Sequence, residues 1–293
     1  MELGLVGLGK MGNNMRERLR RAGHTVVGYD RNPEVSDATS LTDMVGRLSG
    51  TKVVWVMLPI QVVDQVIDEL KALLAPGDLV IDGGNTKWTA DSRNAQSLAE
   101  KGIHFLDCGV SGGVWGLQNG YALMVGGDPA DVALARPIFD ALKPAGDYGF
   151  VHAGEVGAGH FAKMVHNGIE YGLMQAYAEG WELLEAAGNV TNVPQVFNSW
   201  REGTVIRSWL LDLMVRALDA DPHLTTIEGY AADSGEGRWT VNAAVELGVP
   251  VPTMAAALFA RFTSQQDDSP SMKMVAAMRN QFGGHAVKAD GDR

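Results

Sequence analysis

The stretch "LGLVGLGKMGNNM" (3–15) limits the fold more than any other part of the chain. It sets Gly7, Gly9 and Gly12 in a G-x-G-x-x-G pattern where a short apolar run meets the start of an amphipathic one. The triplet of glycines is weak by itself. Between a strand and a helix, within the first β-α unit, it is strong. The glycines permit a tight turn and close approach of backbone to a pyrophosphate, which then sits at the helix N-terminus. The next apolar run, "TVVGYD", ends in Asp30, eighteen residues past Gly12. A carboxylate there can accept from both ribose hydroxyls of an adenosine and repel a 2′-phosphate. Arg31 leaves two readings open, since it could stack on adenine or pair with a 2′-phosphate. NAD is favoured, with NADP still open. The cofactor contacts are assigned to Gly7, Leu8, Gly9, Lys10, Met11 and Gly12 on the turn, to Asp30 and Arg31, and to Leu58 and Asn85 on later loops.

The first half of the chain alternates apolar runs with amphipathic segments. Strands are expected at 3–7, 25–29, 53–57, 79–82, 104–107 and 121–125, and helices at 10–22, 61–74, 89–101 and 129–142. This alternation implies a mostly parallel, doubly wound sheet covered on both faces, a Rossmann-like dinucleotide-binding domain over 1–155. Beyond about residue 155 the strand signals stop. Helices are expected at 160–187, 193–200, 204–218, 236–247, 252–264 and 270–280, giving an all-α substrate-binding and dimerisation domain over 156–293. The last residues, "AVKADGDR", read as a frayed polar tail.

Composition removes several classes. A net charge of −11 argues against general binding to nucleic acid or an anionic membrane. No apolar run reaches a membrane span, and the N-terminus runs straight into a strand pattern without a signal peptide, so a cytoplasmic location is expected. The single cysteine, Cys108, excludes an intrachain disulfide and reads as a small buried apolar residue. No cluster of carboxylates, His and Cys shows metal-ligand spacing, and no metal is expected.

In "HFAKMVHNGIEYGLMQAYAEGWELL" (160–184), Lys163, His166, Asn167, Glu170 and Tyr171 fall at offsets i, i+3, i+4, i+7 and i+8, one stripe of a helix. The bland reading is a solvated face with an i,i+7 charge pair. The apolar, Gly-rich character of the rest of the segment weakens that reading. The segments "IDGGNTKW" (81–88) and "DCGVSGGVWG" (107–116) each follow a strand, at the sheet edge where open α/β folds bind ligands. They offer Asn85, Ser111 and the backbone of Gly112 and Gly113. Either alone could be a structural turn; the two together beside a dinucleotide motif favour binding.

With these residues in view the chain resembles the 6-phosphogluconate dehydrogenases, in particular their short form. The resemblance covers nearly the whole length and rests on the glycine fingerprint, "DGGN", "GVSGG", "GAGHFAKMVHNGIEYG", "GEGRWT", "VPVPT", "FAR" and "RNQFGGH". It implies oxidative decarboxylation of 6-phosphogluconate to ribulose 5-phosphate, with Lys163 as base at the 3-hydroxyl and Glu170 as the acid that protonates C1 of the enediol. Lys163 would have to be neutral with substrate bound. The resemblance places substrate among Asn85, Ser111, Gly112, Gly113, His166, Asn167, Tyr171, Arg261, Arg279 and His285. The chain departs from the family pattern at the phosphate end. There Ser234 and Glu236 stand where the long form carries a Lys and a Thr, and a carboxylate beside phosphate is unfavourable. The rival readings are another β-hydroxyacid dehydrogenase or imine reductase and, from a different class, a catalytically silent NAD-binding regulator. A homodimer or tetramer is expected, because Trp181, Leu183, Leu184, Trp209, Leu210, Leu211 and Leu213 exceed what one helical layer buries. The resemblance implies that Arg279 and His285 complete a neighbouring subunit's site; the residues alone also allow Gly283 or Gly284 simply to cap a helix and leave His285 solvated.

Overall fold

The computed structural model describes residues 1–288. The polar tail read at 286–293 therefore lies mostly outside the described residues. Packing divides the chain into two compact units, Met1–His166 and the residues from Asn167 onward.

The first unit is built on a seven-stranded sheet of order β2-β1-β3-β4-β5-β6-β7. The strands are β1 Glu2–Val6, β2 Thr25–Tyr29, β3 Val53–Val56, β4 Leu79–Asp82, β5 His104–Ser111, β6 Ala122–Gly127 and β7 Phe150–Gly154. All neighbours pair in parallel except β5 and β6. Parallel strands need covered crossovers, and the helices supply them: α1 Lys10–Arg21, α2 Leu41–Gly46, α3 Ile60–Leu73, α4 Trp88–Ala99, α5 Gly116–Asn119 and α6 Pro129–Leu142. The period-two alternation of each strand divides the core between the two faces. Leu3, Leu5, Trp55, Leu79 and Ile81 join Met15 and Leu19 of α1 on one side. Val6, Val54, Val56 and Val80 join Ile67 and Leu70 of α3 on the other. Buried on both faces, these strands read as near-continuous Val, Ile and Leu runs.

The structure departs from the expected elements in several places, the short helix α5 among them. Strand β5 continues to Ser111 instead of stopping at 107, because β6 pairs with it antiparallel from Leu106↔Gly127 to Ser111↔Ala122. The segment "DCGVS" is thus strand, and the loop begins at Gly112, whose φ of 138° suits only glycine. Strand β7 and helix α2 were not anticipated; β7 lacks a continuous apolar run and α2 is only six residues long. The helix expected from 204 starts at Trp209, where the Ser208 hydroxyl accepts from the Leu211 amide at 3.1 Å.

Helix α7, Ala158–Ala187, runs from the first unit into the second. The second unit continues with α8 Val193–Ser199, α9 Trp209–Ala220, α10 Glu236–Leu247, α11 Pro252–Ser264 and α12 Pro270–Gly283. Its larger core gathers Val193, Phe197, Leu211, Val215 and Leu218. A smaller one gathers Tyr171, Ala257 and Leu258. Helix α12 buries none of its residues, and Met272, Met274, Met278 and Phe282 are exposed along it. Gly284, at φ 62°, closes it as a left-handed cap. Among the described residues no helix is long and apolar enough to cross a membrane.

Candidate active site

The glycine turn fits a dinucleotide on stereochemical grounds. A Cβ on Gly7 would overlap the Met57 carbonyl oxygen and lie 2.9 Å from Leu58 Cδ2; one on Gly12 would overlap the Gly7 carbonyl oxygen. Only Gly9 faces open space, with nothing within 4 Å of the position its Cβ would take. Helix α1 has Gly9 as N-cap and no side-chain cap, so its first-turn amides stay available to an anion. Asp30 stands beside them. Its Oδ2 accepts from the Leu8 amide at 2.6 Å and its Oδ1 from the Asn32 amide at 2.9 Å, which fixes the carboxylate as an acceptor next to the turn. Arg31 and Lys10 are exposed, and Met11 packs on the core.

The loop after β4 is folded by Asp82, which is fully buried. Asp82 Oδ1 accepts from the Gly84 amide at 2.9 Å and Oδ2 from the Thr86 hydroxyl at 2.8 Å. Gly83 and Gly84 are glycine because a Cβ on either would overlap its neighbours, the Trp55 indole nitrogen at Gly83 and the Leu58 carbonyl at Gly84. The loop delivers Asn85, which forms a parallel bridge with Pro59 and whose Oδ1 accepts from Lys163 Nζ at 3.0 Å. Ser111 is half-buried at the end of β5, next to the Gly112–Gly113 turn.

Helix α7 approaches β5 closely enough to exclude any side chain at Gly109. A Cβ there would overlap Lys163 Cβ and sit 2.7 Å from the Gly159 carbonyl oxygen. The same strand caps the helix: Asp107 Oδ1 accepts from the Gly157 amide at 2.6 Å and Oδ2 from the His160 amide at 2.8 Å. A carboxylate at the N-terminus of a helix is favoured by the helix dipole and satisfies two otherwise orphaned donors. His160 then reaches α4, its Nδ1 lying 2.9 Å from Asp91 Oδ2. Asp82, Asp91 and His160 are all buried and bring ligand atoms within 4.8 Å of one another, a cluster the sequence reading did not see. Both Asp82 oxygens and His160 Nδ1 are already committed to protein partners, which leaves little for a cation. Burial opposes a charge on His160, but the hydrogen bond and charge of Asp91, with Asp82 and Asp107 behind it, prevail and push the imidazole up to about 9. Burial pushes Asp91 up to about 7 against the pull of His160, and raises Asp82 as well. Cys108, buried on β5, is raised well above an ordinary thiol by burial, so it is inert as a nucleophile.

His166 is the last residue of the first unit; in the second, Asn167 and Glu170 follow along α7, and Tyr171 is buried. The Arg261 guanidinium lies 3.4 Å from the centre of the Tyr171 ring and donates to the Ala232 carbonyl at 2.9 Å. The contact with the ring is a cation–π interaction. The Tyr171 hydroxyl meets Ser234 Oγ at 3.1 Å, so Ser234, Tyr171 and Arg261 form one polar group. Glu236 is buried in the first turn of α10. Arg238 is paired with Asp233 and lies over Phe262. Arg279 and His285 are exposed at the end of α12, where Asn280 Nδ2 donates to the His285 carbonyl at 2.9 Å.

Known proteins share this arrangement along the whole chain. Residues 2–154 match the NAD binding domain of 6-phosphogluconate dehydrogenase, and residues 159–281 match its C-terminal domain. The Bacillus subtilis relative YqeC, provisionally named a 6-phosphogluconate dehydrogenase, is 41% identical over 98% of this chain and 99% of its own. The NAD(+)-dependent, decarboxylating 6-phosphogluconate dehydrogenase of Haloferax volcanii is 39% identical, with both chains covered in full. The 6-phosphogluconate dehydrogenase of Plasmodium falciparum superposes with a TM-score of 0.84 at 27% identity, covering 100% of this chain and 67% of that one. A dinucleotide turn, a mostly parallel sheet and a helical second half, matched end to end at this level, mean that the chain belongs to the 6-phosphogluconate dehydrogenases, decarboxylating oxidoreductases with an N-terminal NAD-binding domain.

Proposed function

We propose that the protein oxidises 6-phosphogluconate at C3 and releases CO2 and ribulose 5-phosphate, with NAD preferred. The observation that carries the reading is the Lys163–Asn85 hydrogen bond, 3.0 Å long, at the carboxyl edge of a sheet whose first turn fits a dinucleotide. Bound NAD supplies a hydride acceptor. Lys163 takes the proton of the 3-hydroxyl while Asn85 holds its amine in place. The 3-keto acid so formed loses CO2 because its carbonyl accepts the electron pair, and Lys163 returns the proton to that oxygen. Glu170, two helical turns along α7, gives the enediol its proton at C1. His166, Asn167, Ser111, Gly112 and Gly113 orient the sugar acid. Arg261 and Tyr171 hold phosphate, joined by Ser234. The buried Glu236 stays off the anion. Full-length identity to phosphogluconate enzymes disfavours a small-hydroxyacid or imine substrate. The retention of both Lys163 and Glu170 disfavours a silent regulator. Following NADH and CO2 release from 6-phosphogluconate, against 3-hydroxyisobutyrate and with NADP in parallel, tests the assignment; turnover confined to the small hydroxyacid would overturn it.

Cofactor choice follows from Asp30. Asp30→Asn keeps an acceptor for the Leu8 amide but removes the charge that opposes a 2′-phosphate. Its ratio of kcat/KM for NADP over NAD should rise by about tenfold, the equivalent of roughly 1.4 kcal/mol. An unchanged ratio would assign the choice to Arg31.

The second unit works as part of a dimer in this reading. The exposed Met272, Met278 and Phe282 of α12 and the exposed Trp209 and Leu183 need a partner surface. An apolar groove of about 360 Å³ lined by Met174, Tyr177, Trp181, Leu213 and Met214 adds to that surface. Arg279 and His285 then complete the partner's phosphate site. Mixing Lys163→Met and Arg279→Ala proteins under subunit exchange should restore up to about a quarter of wild-type activity, since half the dimers are hybrids and each has one intact site. Demonstrated exchange without recovery would put each tail in its own subunit's site.

A further inference from the structure

The buried group around His160 has no part in the chemistry just described, yet it sits one helical turn before Lys163. Four elements converge on it. Asp82 comes from β4, Asp91 from α4, Asp107 from β5 and His160 from α7. His160 and Asp91 side chains are 2% and 0% exposed. Two of their atoms, His160 Nε2 and Asp91 Oδ1, have no hydrogen-bond partner among the described residues.

We propose that the buried His160–Asp91 pair is a positioning element for the reaction: it pins the first turns of α7 to α4, and so holds the Lys163 amine against Asn85. The inference rests on the reading of Lys163 as the base. Three observations support it. First, a buried ionic pair with two unsatisfied atoms is a poor way to gain stability, because apolar residues of similar volume would hold the core as well. What it provides that apolar contacts do not is direction, fixed by the 2.9 Å bond from His160 Nδ1 to Asp91. Second, the pair joins the two parts of the base assembly. Asp82 shares the cluster with His160 and Asp91, and the same Asp82 folds the loop that delivers Asn85. Third, Asp107 of β5 holds the His160 backbone amide, so this turn of α7 is fixed through both its main chain and its side chain. Lys163 leaves the helix three residues later and reaches Asn85. Rotation or retreat of that turn would carry the amine away from the loop. The charged groups acting on His160 are those three carboxylates, and together they keep it an imidazolium at neutral pH.

The test is a double-mutant cycle on the intact protein, with kcat, the KM for 6-phosphogluconate and the NAD dissociation constant measured for His160→Gln, Asn85→Ala and the two combined. His160→Gln should lower kcat by about tenfold to a hundredfold, the effect of displacing a reacting group by a fraction of an ångström, with the NAD dissociation constant unchanged. In the Asn85→Ala background the same change should cost less than about threefold, because the contact it serves is already gone. Wild-type kcat in His160→Gln, or strictly multiplicative losses, would overturn the proposal, since a purely structural role gives no coupling to Asn85. If His160→Gln does not fold, the apolar pair His160→Leu with Asp91→Leu decides. It removes the imidazolium together with its hydrogen-bonded carboxylate and leaves Asp82 and Asp107 the hydrogen bonds they accept from Gly84, Thr86, Gly157 and the His160 amide; it should fold and show the same loss, and wild-type kcat in that protein would overturn the proposal equally. Lys163→Met is assayed alongside. An active Lys163→Met enzyme sinks the assignment of the base, and the positioning with it. An inactive one beside a fully active His160→Gln sinks the positioning alone.

Discussion

Lys163→Met is expected to cut NADH formation from 6-phosphogluconate by about 10³-fold, within the range for removing a general base. Methionine nearly matches the length and apolar stem of lysine, so the contact of that stem with β5 at Gly109 survives. What disappears is the nitrogen, which donates to Asn85 Oδ1 at 3.0 Å and takes the 3-hydroxyl proton in the proposed cycle. The glycine turn and Asp30 lie in other elements, so NAD should bind with its wild-type dissociation constant. Circular dichroism and NAD titration establish that the protein is folded and loaded; stopped-flow absorbance then reads the chemical step. A folded Lys163→Met enzyme with near-normal turnover would remove Lys163 from the mechanism.

Gly109→Ala is expected to lower kcat by about 10²-fold through a single methyl group that touches no substrate. Strand β5 cannot move to accept it, because the strand is paired on one side with β4 and on the other with β6 across Gly109↔Met124. Helix α7 has to yield instead, since the new carbon overlaps Lys163 Cβ and presses on the Gly159 carbonyl. Overpacking of this kind typically costs about 1–3 kcal/mol of stability. For catalysis the displacement matters more, since it moves Lys163, the base in the proposed cycle. A lowered melting temperature with intact NAD binding and reduced kcat is the expected pattern. Wild-type kcat in Gly109→Ala would show that the Lys163 amine tolerates movement of its helix.

Much of the first unit was readable in the chain because its signals are local. A parallel strand buried on both faces must be a run of apolar residues, and "VVWV" and "LVID" are such runs. A glycine turn between strand and helix must place its glycines where a Cβ would overlap a carbonyl, as Gly7 and Gly12 do. The polar stripe on α7 was visible because helical spacing is a property of the sequence. Where the expected strands failed, the cause was pairing. β5 extends to Ser111 only because an antiparallel β6 lies beside it, and β7 forms at the far edge of the sheet without the apolar run of the inner strands.

Apart from the role of Lys163 as a candidate base, which the family resemblance implied, the sequence by itself determined most of the elements, the dinucleotide turn and the polar stripe on α7. Each depends on neighbours within a few residues, where period and side-chain type act directly. Only the tertiary structure decided what surrounds that base. Asp82, Asp91, Asp107 and His160 are separated by up to 78 positions and belong to four elements, so no spacing rule could join them. His160 could have been noticed, one turn before Lys163 on the same helix, but nothing local distinguishes a buried imidazole from a solvated one. The need for glycine at 109 was equally hidden, because it arises from the approach of α7 to β5 and not from the backbone of β5 itself. Charges take on their roles through burial and proximity, and both are created only when the sheet closes under the helix.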